Sequence, residues 1–399
     1  MSITLINPSG YPSAQDNLWS IAYSSNSGQV DFKYIFDVFV DGVQLVRTKV
    51  FPEPSNGRGY FDAMPIVKNE ITYGWFNPAK NETSQATLCN QSDTLNEKIY
   101  QLRVGEDYSG TTYLNLVSGN VTTYNYSAPL FKRRQINIGQ KINKFLTNRP
   151  KTIKAKLTDA VLIPFFYDIQ ANYFLQIKKY GYNNALIDTK DTSAYTYTFK
   201  YTQLDIGVDA INRRVFADSG STISNWIDSN VKYYTIEVLD SSSTLLDFAT
   251  VNIDCNPNYT PINLYFINAF GMFDTARFDL ASRLTMDVER KTFEQRNYTL
   301  NNSSVDYYDA NNVYNESKIN YGSKSNHSYK LTMNYPSDAE YIWLAELIVS
   351  PQIYAEIDGN YYPVSIKSNN YEYSTYTNNR LKALEIDIDL NQTRYNFAR

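Results

Sequence analysis

Hydrophobic residues recur at every second position along much of the chain, which is the spacing of a half-buried β-strand. Early examples are Trp19, Ile21 and Tyr23, followed by Phe32, Tyr34, Phe36, Val38 and Val40. The Asp41-Gly42 pair after the second run is typical of a tight hairpin turn, and apolar positions resume at Val43. Further short apolar runs at Ile71–Phe76, Ile99–Val104 and Tyr113–Val117 predict more strands. Together with the Gly, Asn and Pro residues that separate the runs, they predict a β-sandwich of immunoglobulin or fibronectin type III character.

A second region of alternating apolar residues follows a basic run, Lys132-Arg133-Arg134, and a segment ended by Pro150. Ile142–Leu146 predicts a linker or a short helix there. Val161–Phe166 predicts a buried strand, and Tyr173, Leu175 and Ile177 alternate after it. Tyr195, Tyr197, Phe199 and Tyr201 alternate as well, and Tyr233–Leu239 with Leu245–Ile253 predict a hairpin. A second β-sandwich is therefore expected.

The last region starts after Cys255-Asn256-Pro257 and combines strands with one helix. Leu264–Ile267 predicts a strand and Asn268–Asp274 a turn. The stretch between Tyr298 and Tyr329 is polar and rich in Asn, Tyr and Ser, and it predicts a strand pair with long loops, with 301–326 as the loop region. Ser337 and Glu340 form a capping-box pattern, and Tyr341, Leu344, Ala345 and Ile348 lie at helical spacing, so a helix over 338–349 is predicted. Leu384, Ile386, Ile388 and Leu390 alternate in a closing strand.

These segments predict a mainly β protein built from several Ig/FnIII-like sandwiches. Shifts in composition and clusters of turn residues near 133 and 256 divide it into three expected domains. Residues 1–133 form the first sandwich, 134–255 a linker and a second sandwich, and 256–399 a β-rich domain that carries the helix.

The composition favours interfaces and argues against catalysis. The 36 tyrosines, 20 phenylalanines and 4 tryptophans make 15% of the residues, and tyrosine suits half-buried sheets and contact surfaces. The formal net charge of −4 disfavours a dedicated nucleic-acid binder. One histidine and two cysteines, Cys89 and Cys255, leave no room for a zinc cluster and predict two unrelated reduced thiols. The first ten residues lack the pattern of a secretory signal, so none is expected.

The candidate chemical groups are few, and each has a simpler structural interpretation. His327 lies in a polar segment expected to be a surface loop. Asp37 with Asp41, and Asp387 with Asp389, are the carboxylate pairs that a glycosidase would need, although the second pair alternates with apolar residues and fits the solvent face of a strand. Asp306, Asp309, Asn311 and Asn312 lack the order of a calcium loop. We expect no catalytic residue, no metal site, no cofactor and no enzyme activity.

Two parts of the chain resemble a known family. The first is Phe32–Gly42 with Pro52–Gly57 and Tyr60-Phe61-Asp62, and the second is Leu264–Thr275 with Arg283, Asp287–Lys291, the helix 339–350 and Tyr362-Pro363-Val364. Both are similar to structural proteins from the tail, neck or baseplate of tailed bacteriophages that infect Bacteroidota. The resemblance covers about the first 70 residues and most of 256–390, whereas the middle rests on pattern alone.

The resemblance implies a virion structural protein that assembles in several copies, after synthesis in the host cytoplasm. Its expected partners are other virion proteins and further copies of itself, without membrane or direct nucleic-acid contact. Two alternatives remain open: a receptor- or glycan-binding fibre module, because exposed aromatic rings stack on sugars, and a capsule-degrading carboxylate glycosidase. The sequence shows no fixed-period repeat that could form the shaft of a fibre or of a depolymerase.

Overall fold

A computed structural model describes residues 3–73, 89–91, 96–126, 138–169, 171–195, 200–254, 257–294, 299–301, 303–306, 318–334, 336–367 and 383–397. The chain forms two compact units. Unit 1 comprises Met1–Pro257, Tyr265–Ala276 and Ile342–Pro351, and unit 2 comprises Asn258–Leu264, Arg277–Tyr341 and Gln352–Arg399. Most described residues lie in strands of several sheets, so the predicted mainly β class with multiple sandwiches is confirmed.

The first part of unit 1 is a sandwich of two antiparallel sheets, with strand order β1-β2-β5 in one and β4-β3-β7-β8 in the other. This arrangement of three strands against four is of the immunoglobulin type. The elements are β1 (Ile3–Ile6), β2 (Trp19–Ser24), β3 (Lys33–Val40), β4 (Val43–Val50), β5 (Gly59–Asp62), α1 (Met64–Val67), β6 (Cys89–Gln91), β7 (Glu97–Tyr108) and β8 (Thr111–Tyr124).

Strand β3 supplies the centre of this sandwich, as its alternation predicts. Its inward residues, together with Phe32 before it, are between 0% and 4% exposed, and Phe36 stacks on Phe61 with ring centroids 5.0 Å apart. Asp41 and Gly42 both have positive φ, 50° and 81°, which fits the tight turn that the pair predicts between β3 and β4.

Strand β2 is present as predicted, but the residues that predicted it face outward. Ser20 and Ala22 are fully buried, whereas Trp19 and Tyr23 are 52% and 42% exposed. Alternation fixes which residues share a face of a strand, and the neighbouring sheet decides which face is covered.

The second sandwich also belongs to unit 1. Its sheets have strand orders β10-β16-β15-β12-β13 and β6-β14-β11-β9, so β6 reaches the second sandwich from within the first 133 residues. Strand β10 runs parallel to β16. The elements are β9 (Lys144–Phe145), β10 (Thr152–Ala155), β11 (Leu162–Phe166), β12 (Tyr173–Gly181), β13 (Leu186–Asp191), β14 (Tyr201–Asp205), α2 (Val208–Asn212), β15 (Val231–Asp240) and β16 (Leu245–Ile253).

The predicted linker or helix at Ile142–Leu146 takes a different form. A 3-10 helix covers Ile138–Lys141, and Lys144–Phe145 form β9, which pairs with β11. Phe145 is 2% exposed and Leu146 is fully buried, so packing of these two side chains favours an extended segment over another helical turn. The predicted Ile71–Phe76 strand is not formed at residues 71–73, and its remaining residues lie outside the described ones.

The two sandwiches have separate hydrophobic cores, one around β3 and one around β12 and β15. A third cluster includes residues from both sandwiches and from the turn at residues 268–272. Its buried members are Tyr124, Tyr126, Ile138, Leu146, Phe166, Tyr201, Phe270 and Met272. This shared cluster explains why unit 1 is compact across both sandwiches. The predicted boundaries at 133 and 256 fall outside the described residues, so the three-domain division stays a prediction.

The remaining elements are β17 (Ile262–Ile267), β18 (Phe273–Phe278), β19 (Arg283–Glu294), β20 (Thr299–Asn301), β21 (Ser304–Asp306), β22 (Lys318–Met333), α3 (Asp338–Ile348), β23 (Ile353–Ile357), β24 (Asn360–Ile366) and β25 (Leu384–Phe397). In unit 2, neighbouring strands follow the order β23-β24-β25-β22-β19. The predicted strand pair between Tyr298 and Tyr329 is present, because β20 pairs antiparallel with β21. The expectation of loops is wrong for 318–326, which lie in β22 and pair with β19.

Helix α3 confirms the predicted helix and its cap. The hydroxyl of Ser337 accepts the backbone N–H of Glu340 at 3.3 Å, and the Glu340 carboxylate accepts the N–H of Ser337 at 2.8 Å. These reciprocal bonds satisfy donors that the first turn of a helix leaves free. Leu344 and Leu347 are fully buried, while Ile342 is 50% exposed.

Candidate functional site

The carboxylates considered for catalysis are not brought together. Asp37 is 2% exposed and accepts two hydrogen bonds from the guanidinium of Arg47, at 2.7 and 2.9 Å. Asp41 lies in the following turn and pairs with Lys98 at 2.6 Å. Each carboxylate is therefore paired with its own cation. The two do not face a common cleft, whereas glycoside hydrolysis requires two carboxylates on either side of the same glycosidic bond.

Asp387 and Asp389 occupy the face of β25 opposite its core, as the sequence predicts. Ile386 and Ile388 between and beside them are 2% and 0% exposed, whereas Asp387 is exposed. The Nζ of Lys367 lies 3.7 Å from the carboxylate of Asp389. These acidic side chains therefore keep one face of the strand in solvent.

The other candidates yield no site among the described residues. His327 is part of β22 opposite Met286 on β19, so the expected surface loop is wrong. Asp309, Asn311, Asn312 and the Lys132–Arg134 run lie outside the described residues. In the described part of the chain, no group of three His, Cys, Asp or Glu side chains could hold a metal ion, and no helix there is both long and apolar enough to span a membrane.

The second sandwich contains a buried ionic cluster that the sequence analysis missed. Arg214 is fully buried; its guanidinium donates to the backbone oxygen of Asp205 at 2.6 Å and to the hydroxyl of Tyr195. The Asp205 carboxylate accepts the N–H groups of Val161 and Gly207 at 3.0 and 2.9 Å. Burial raises the pKa of Asp205, and these hydrogen bonds oppose the shift. The cluster holds core segments together, since all its partners lie inside the sandwich.

A second buried polar cluster attaches α3 to the rest of unit 1. The carboxylate of Asp274 accepts the hydroxyl of Thr147 at 2.6 Å and the indole N–H of Trp343 at 2.9 Å. One turn along the helix, Glu346 accepts the backbone N–H of Ala269 at 2.8 Å and the side-chain amide of Asn148 at 2.7 Å. Burial raises the pKa of Asp274, and it raises that of Glu346 to about 7.

Glu346 also lines a cavity of about 370 Å³, together with Tyr73, Tyr126, Asn268 and Pro351 among others. The hydroxyl of Tyr126 donates to the backbone oxygen of Tyr11 at 2.7 Å. The side chains of Glu346, Tyr126 and Asn268 already serve hydrogen bonds within unit 1. We therefore assign this region to structural attachment of the helix.

Among the described residues, one exposed surface without an internal explanation is strand β19, Arg283–Glu294, which we call the β19 edge. It ends the strand order of unit 2, and no strand among the described residues pairs with its outer side. Eleven of its twelve residues are exposed and Val288 is intermediate, so neither face of the strand is covered. A long exposed edge strand offers a row of backbone donors and acceptors for pairing with another chain.

The β19 edge combines apolar and charged side chains. Leu284 and Met286 are 59% and 57% exposed, although they share a sheet face with buried Leu331 and Ile388 of the adjacent strands. On the opposite face, the carboxylate of Asp287 lies 3.3 Å from the Nζ of Lys367, and Glu289 faces Lys324 across the β19–β22 pair. Exposed apolar side chains on an edge strand favour pairing with a strand of another chain, in aggregation or in assembly. The charged side chains between them restrict which strands can pair there.

This surface is only partly predictable from the sequence. The segment Met286–Arg290 predicts a strand, but the exposure of both faces does not follow from alternation. Six of the twelve residues are charged, at 283, 287, 289, 290, 291 and 294. This high fraction of charged residues is the feature of the sequence that indicates an uncovered strand.

Comparison with known proteins gives weak matches. No protein-family model matches the chain, and no curated protein matches it. Among solved structures, the chain is similar to the FN1–FN3 domains of chicken CNTN1, at 13% identity and a TM-score of 0.19, over 62% of this chain and 66% of that one. A β-glycosidase from Bacteroides vulgatus matches at 8% identity and a TM-score of 0.12, over 64% of this chain and 27% of that one. At such TM-scores, neither likeness supports an argument about function.

Proposed function

We propose that this protein is a structural component of a tailed-phage virion, assembled in multiple copies in the tail, neck or baseplate and made in the host cytoplasm. The observation that carries the assembly part of the proposal is the β19 edge, which exposes a full strand with Leu284 and Met286 about half accessible. The phage setting comes from the sequence resemblance at Phe32–Gly42 and Leu264–Thr275.

The buried groups support an assembly role over catalysis. The described carboxylates with a raised pKa, Asp205, Asp274 and Glu346, all accept hydrogen bonds from within their own unit. They stabilise sandwich and helix packing, and none of these three projects from an open site with a second free carboxylate opposite it. The tyrosine-rich β architecture with an accessible edge fits a protein that functions through contact with neighbouring proteins.

A receptor- or glycan-binding module is the second candidate, and one observation favours it. Trp19 and Tyr23 project from the same outward face of β2 and are 52% and 42% exposed. The guanidinium of Arg58 lies 5.8 Å from the centre of the Tyr23 ring. Exposed aromatic rings beside a cation are suited to contact with sugar rings, which present both C–H groups and hydroxyls.

The test is to locate the chain in purified phage particles by mass spectrometry and electron cryomicroscopy. We expect several symmetry-related copies in the tail, neck or baseplate. Hydrogen exchange should then show slower exchange for Arg283–Glu294 in particles than in the free chain, because pairing of the edge protects its amides. Absence of the chain from purified particles would refute the proposal.

The two candidates are separated by the variants Trp19→Ala and Leu284→Ser. Loss of particle assembly only in the Leu284 variant supports the structural role. Loss of adsorption to host cells only in the Trp19 variant, with normal particles, supports the receptor-binding role instead.

A further inference from the structure

We propose that a cleft on the solvent face of unit 2 binds a sugar residue that carries one negative charge, with Arg283 as the partner of that charge and Tyr259 as the surface on which the ring stacks. The inference goes beyond the proposed virion role and does not depend on it, because the cleft belongs to the free chain.

The cleft has a volume of about 210 Å³ and lies wholly within unit 2. The small side chains of Ala281 and Thr332 line it between longer ones, and this difference in length creates the depression. The backbone N–H of Leu280 donates to the backbone oxygen of Thr332 at 3.1 Å, which holds the segment before β19 beside β22. The longer side chains of the cleft are those of Tyr259, Arg283, Lys330 and Glu385.

Strand pairing places the two cations of the cleft on the solvent face of the sheet. Arg283 lies directly opposite Lys330 in the β19–β22 pair, and Lys330 lies opposite Asp387 in the β22–β25 pair. Residues directly opposite one another point to the same face of a sheet. Because Asp387 is exposed on the face of β25 that lies opposite its core, Arg283 and Lys330 project toward solvent as well.

One positive charge in the cleft has no partner. The Nζ of Lys330 lies 2.7 Å from the carboxylate of Glu385, so these two charges neutralise each other. The guanidinium of Arg283 makes no hydrogen bond or ion pair within the described part of the chain. A cleft with one unpaired positive charge favours a ligand with one negative charge, and the planar fork of a guanidinium can bind two oxygens of the same acidic group. A carboxylate or a sulfate ester on the ligand meets both conditions.

The other groups of the cleft favour a sugar over an acidic peptide. The ring of Tyr259 is 49% exposed and offers an apolar face, which fits the C–H groups on one side of a sugar ring. The carboxylate of Glu385 can only accept hydrogen bonds, which sugar hydroxyls can donate and a carboxylate side chain cannot. The volume is below the roughly 300 Å³ at which pockets for drug-sized ligands begin, so the cleft accommodates a single ring. Together these features indicate an acidic sugar residue.

The first experiment compares sugars that differ by one group, in ligand-observed NMR titrations of the full-length chain at constant ionic strength. Methyl glucuronide carries a carboxylate where methyl glucoside carries a hydroxymethyl group, and the sulfate ester of methyl glucoside is the third ligand. We expect at least one charged sugar to bind about fivefold more tightly than methyl glucoside, since a partly exposed charge pair contributes a modest free energy. The tighter of the two charged sugars identifies the acidic group. If neither binds more tightly than methyl glucoside, the proposal is wrong.

The α-amide of N-acetylglutamate represents an acidic peptide, because it carries a carboxylate without a sugar ring. We expect it to bind at least about threefold more weakly than the tighter charged sugar, since it lacks the ring that stacks on Tyr259 and the hydroxyls that donate to Glu385. Binding as tight as that of the sugar would make an acidic peptide the occupant and contradict the inference.

The second experiment locates the ligand with matched variants. Arg283→Gln should remove the preference, so that the charged and the neutral sugars bind alike. The control is Arg290→Gln, the same substitution at another exposed arginine of β19, which alternation places on the opposite face of the strand. This variant should keep the preference for charged sugars. Tyr259→Ala should weaken the binding of charged and neutral sugars alike, by about threefold.

Two results would contradict the site directly. The first is a preference for charged sugars that persists in Arg283→Gln. The second is loss of binding in Trp19→Ala with no effect of Arg283→Gln, which would place the sugar on the outward face of β2. Neither result bears on the presence of the chain in particles, so failure of this inference and failure of the proposed function are distinguishable. Thermal unfolding of the Tyr259, Arg283 and Arg290 variants should match the natural chain, because all three side chains are exposed.

Discussion

Strands β3 and β19 are both regular antiparallel strands, yet their surroundings are opposite. Strand β3 has neighbours on both edges, β4 and β7, and its inward side chains are between 0% and 4% exposed. Strand β19 has a described neighbour on one edge and exposes both faces. Burial of the apolar side chains of β3 stabilises the fold. The apolar side chains of β19 stay in contact with water, and only burial against a further surface would add to the stability of the protein.

The comparison extends to helix α3, which carries both kinds of surface within one element. Leu344 is fully buried and Ile342, two residues away, is 50% exposed. We expect Leu344→Asp to lower the free energy of unfolding by about 4 kcal/mol or more, because it removes buried apolar contacts and buries an unpaired charge. Thermal unfolding followed by circular dichroism measures the effect, and Leu344→Ala, expected at about 2–5 kcal/mol, covers the case in which the aspartate variant does not fold.

The control for this prediction is Ile342→Asp, which should change stability by about 0.5 kcal/mol or less because its side chain already contacts solvent. Equal effects at the two positions would show that the helix is not packed through the face that contains Leu344.

The next largest effect is expected where β3 and β19 are compared directly. Phe36→Ala should cost about 3–5 kcal/mol, since the ring is fully buried and stacked on Phe61. Met286→Ala on β19 should stay within about 0.5 kcal/mol in the free chain. Urea unfolding of both variants measures the difference, and a large loss at Met286 would mean that β19 is already covered in the free chain.

A third prediction concerns pH and the attachment of α3. Burial raises the pKa of Glu346 to about 7, from a value near 4.5 expected in the unfolded chain. The folded state therefore binds the proton more tightly, so this stabilisation is complete below about pH 4.5 and is lost as pH rises through about 7. The change attributable to Glu346 is at most about 3 kcal/mol, at 1.36 kcal/mol per pKa unit.

The variant Glu346→Gln cannot ionise. Its single amide oxygen can accept the N–H of Ala269, and its NH2 group can donate to Asn148 once that side-chain amide turns to present its oxygen. We expect it to be more stable than the natural chain at pH 8 and to depend less on pH between 5 and 8 in thermal unfolding. Asp274 also has a raised pKa and leaves some pH dependence in both proteins. Identical pH profiles of the two chains would refute a role for Glu346 in this dependence.

The smallest predicted effect concerns the cap of α3. Ser337→Ala removes the hydroxyl that accepts the Glu340 N–H, at an expected cost of about 1 kcal/mol. Glu340→Gln retains a side-chain oxygen for the Ser337 N–H and should cost less. If the Ser337→Ala variant is as stable as the natural chain, water replaces the Ser337 hydroxyl as acceptor of the Glu340 N–H without loss of stability.

Elements whose evidence is local are predictable from the amino-acid sequence alone. The apolar series through Val40 predicts β3, the Asp41-Gly42 pair predicts its turn, and the Ser337/Glu340 pattern predicts the start of α3; the structure confirms all three. Alternation and capping depend on residues within a few positions of one another, so they can be read without knowledge of the fold. The mainly β class follows from the same local signals repeated along the chain.

The covered faces and the contacts between distant segments follow from the folded arrangement and are absent from local patterns. Trp19 and Tyr23 predict β2 yet face outward, and His327 lies within a strand because 318–333 finds partners in β19 and β25. The Asp274–Trp343 and Asp205–Arg214 contacts join residues 69 and 9 positions apart, with no pattern that marks them. Burial of a face depends on elements brought from elsewhere in the chain, and β19 remains exposed because no described segment supplies its cover.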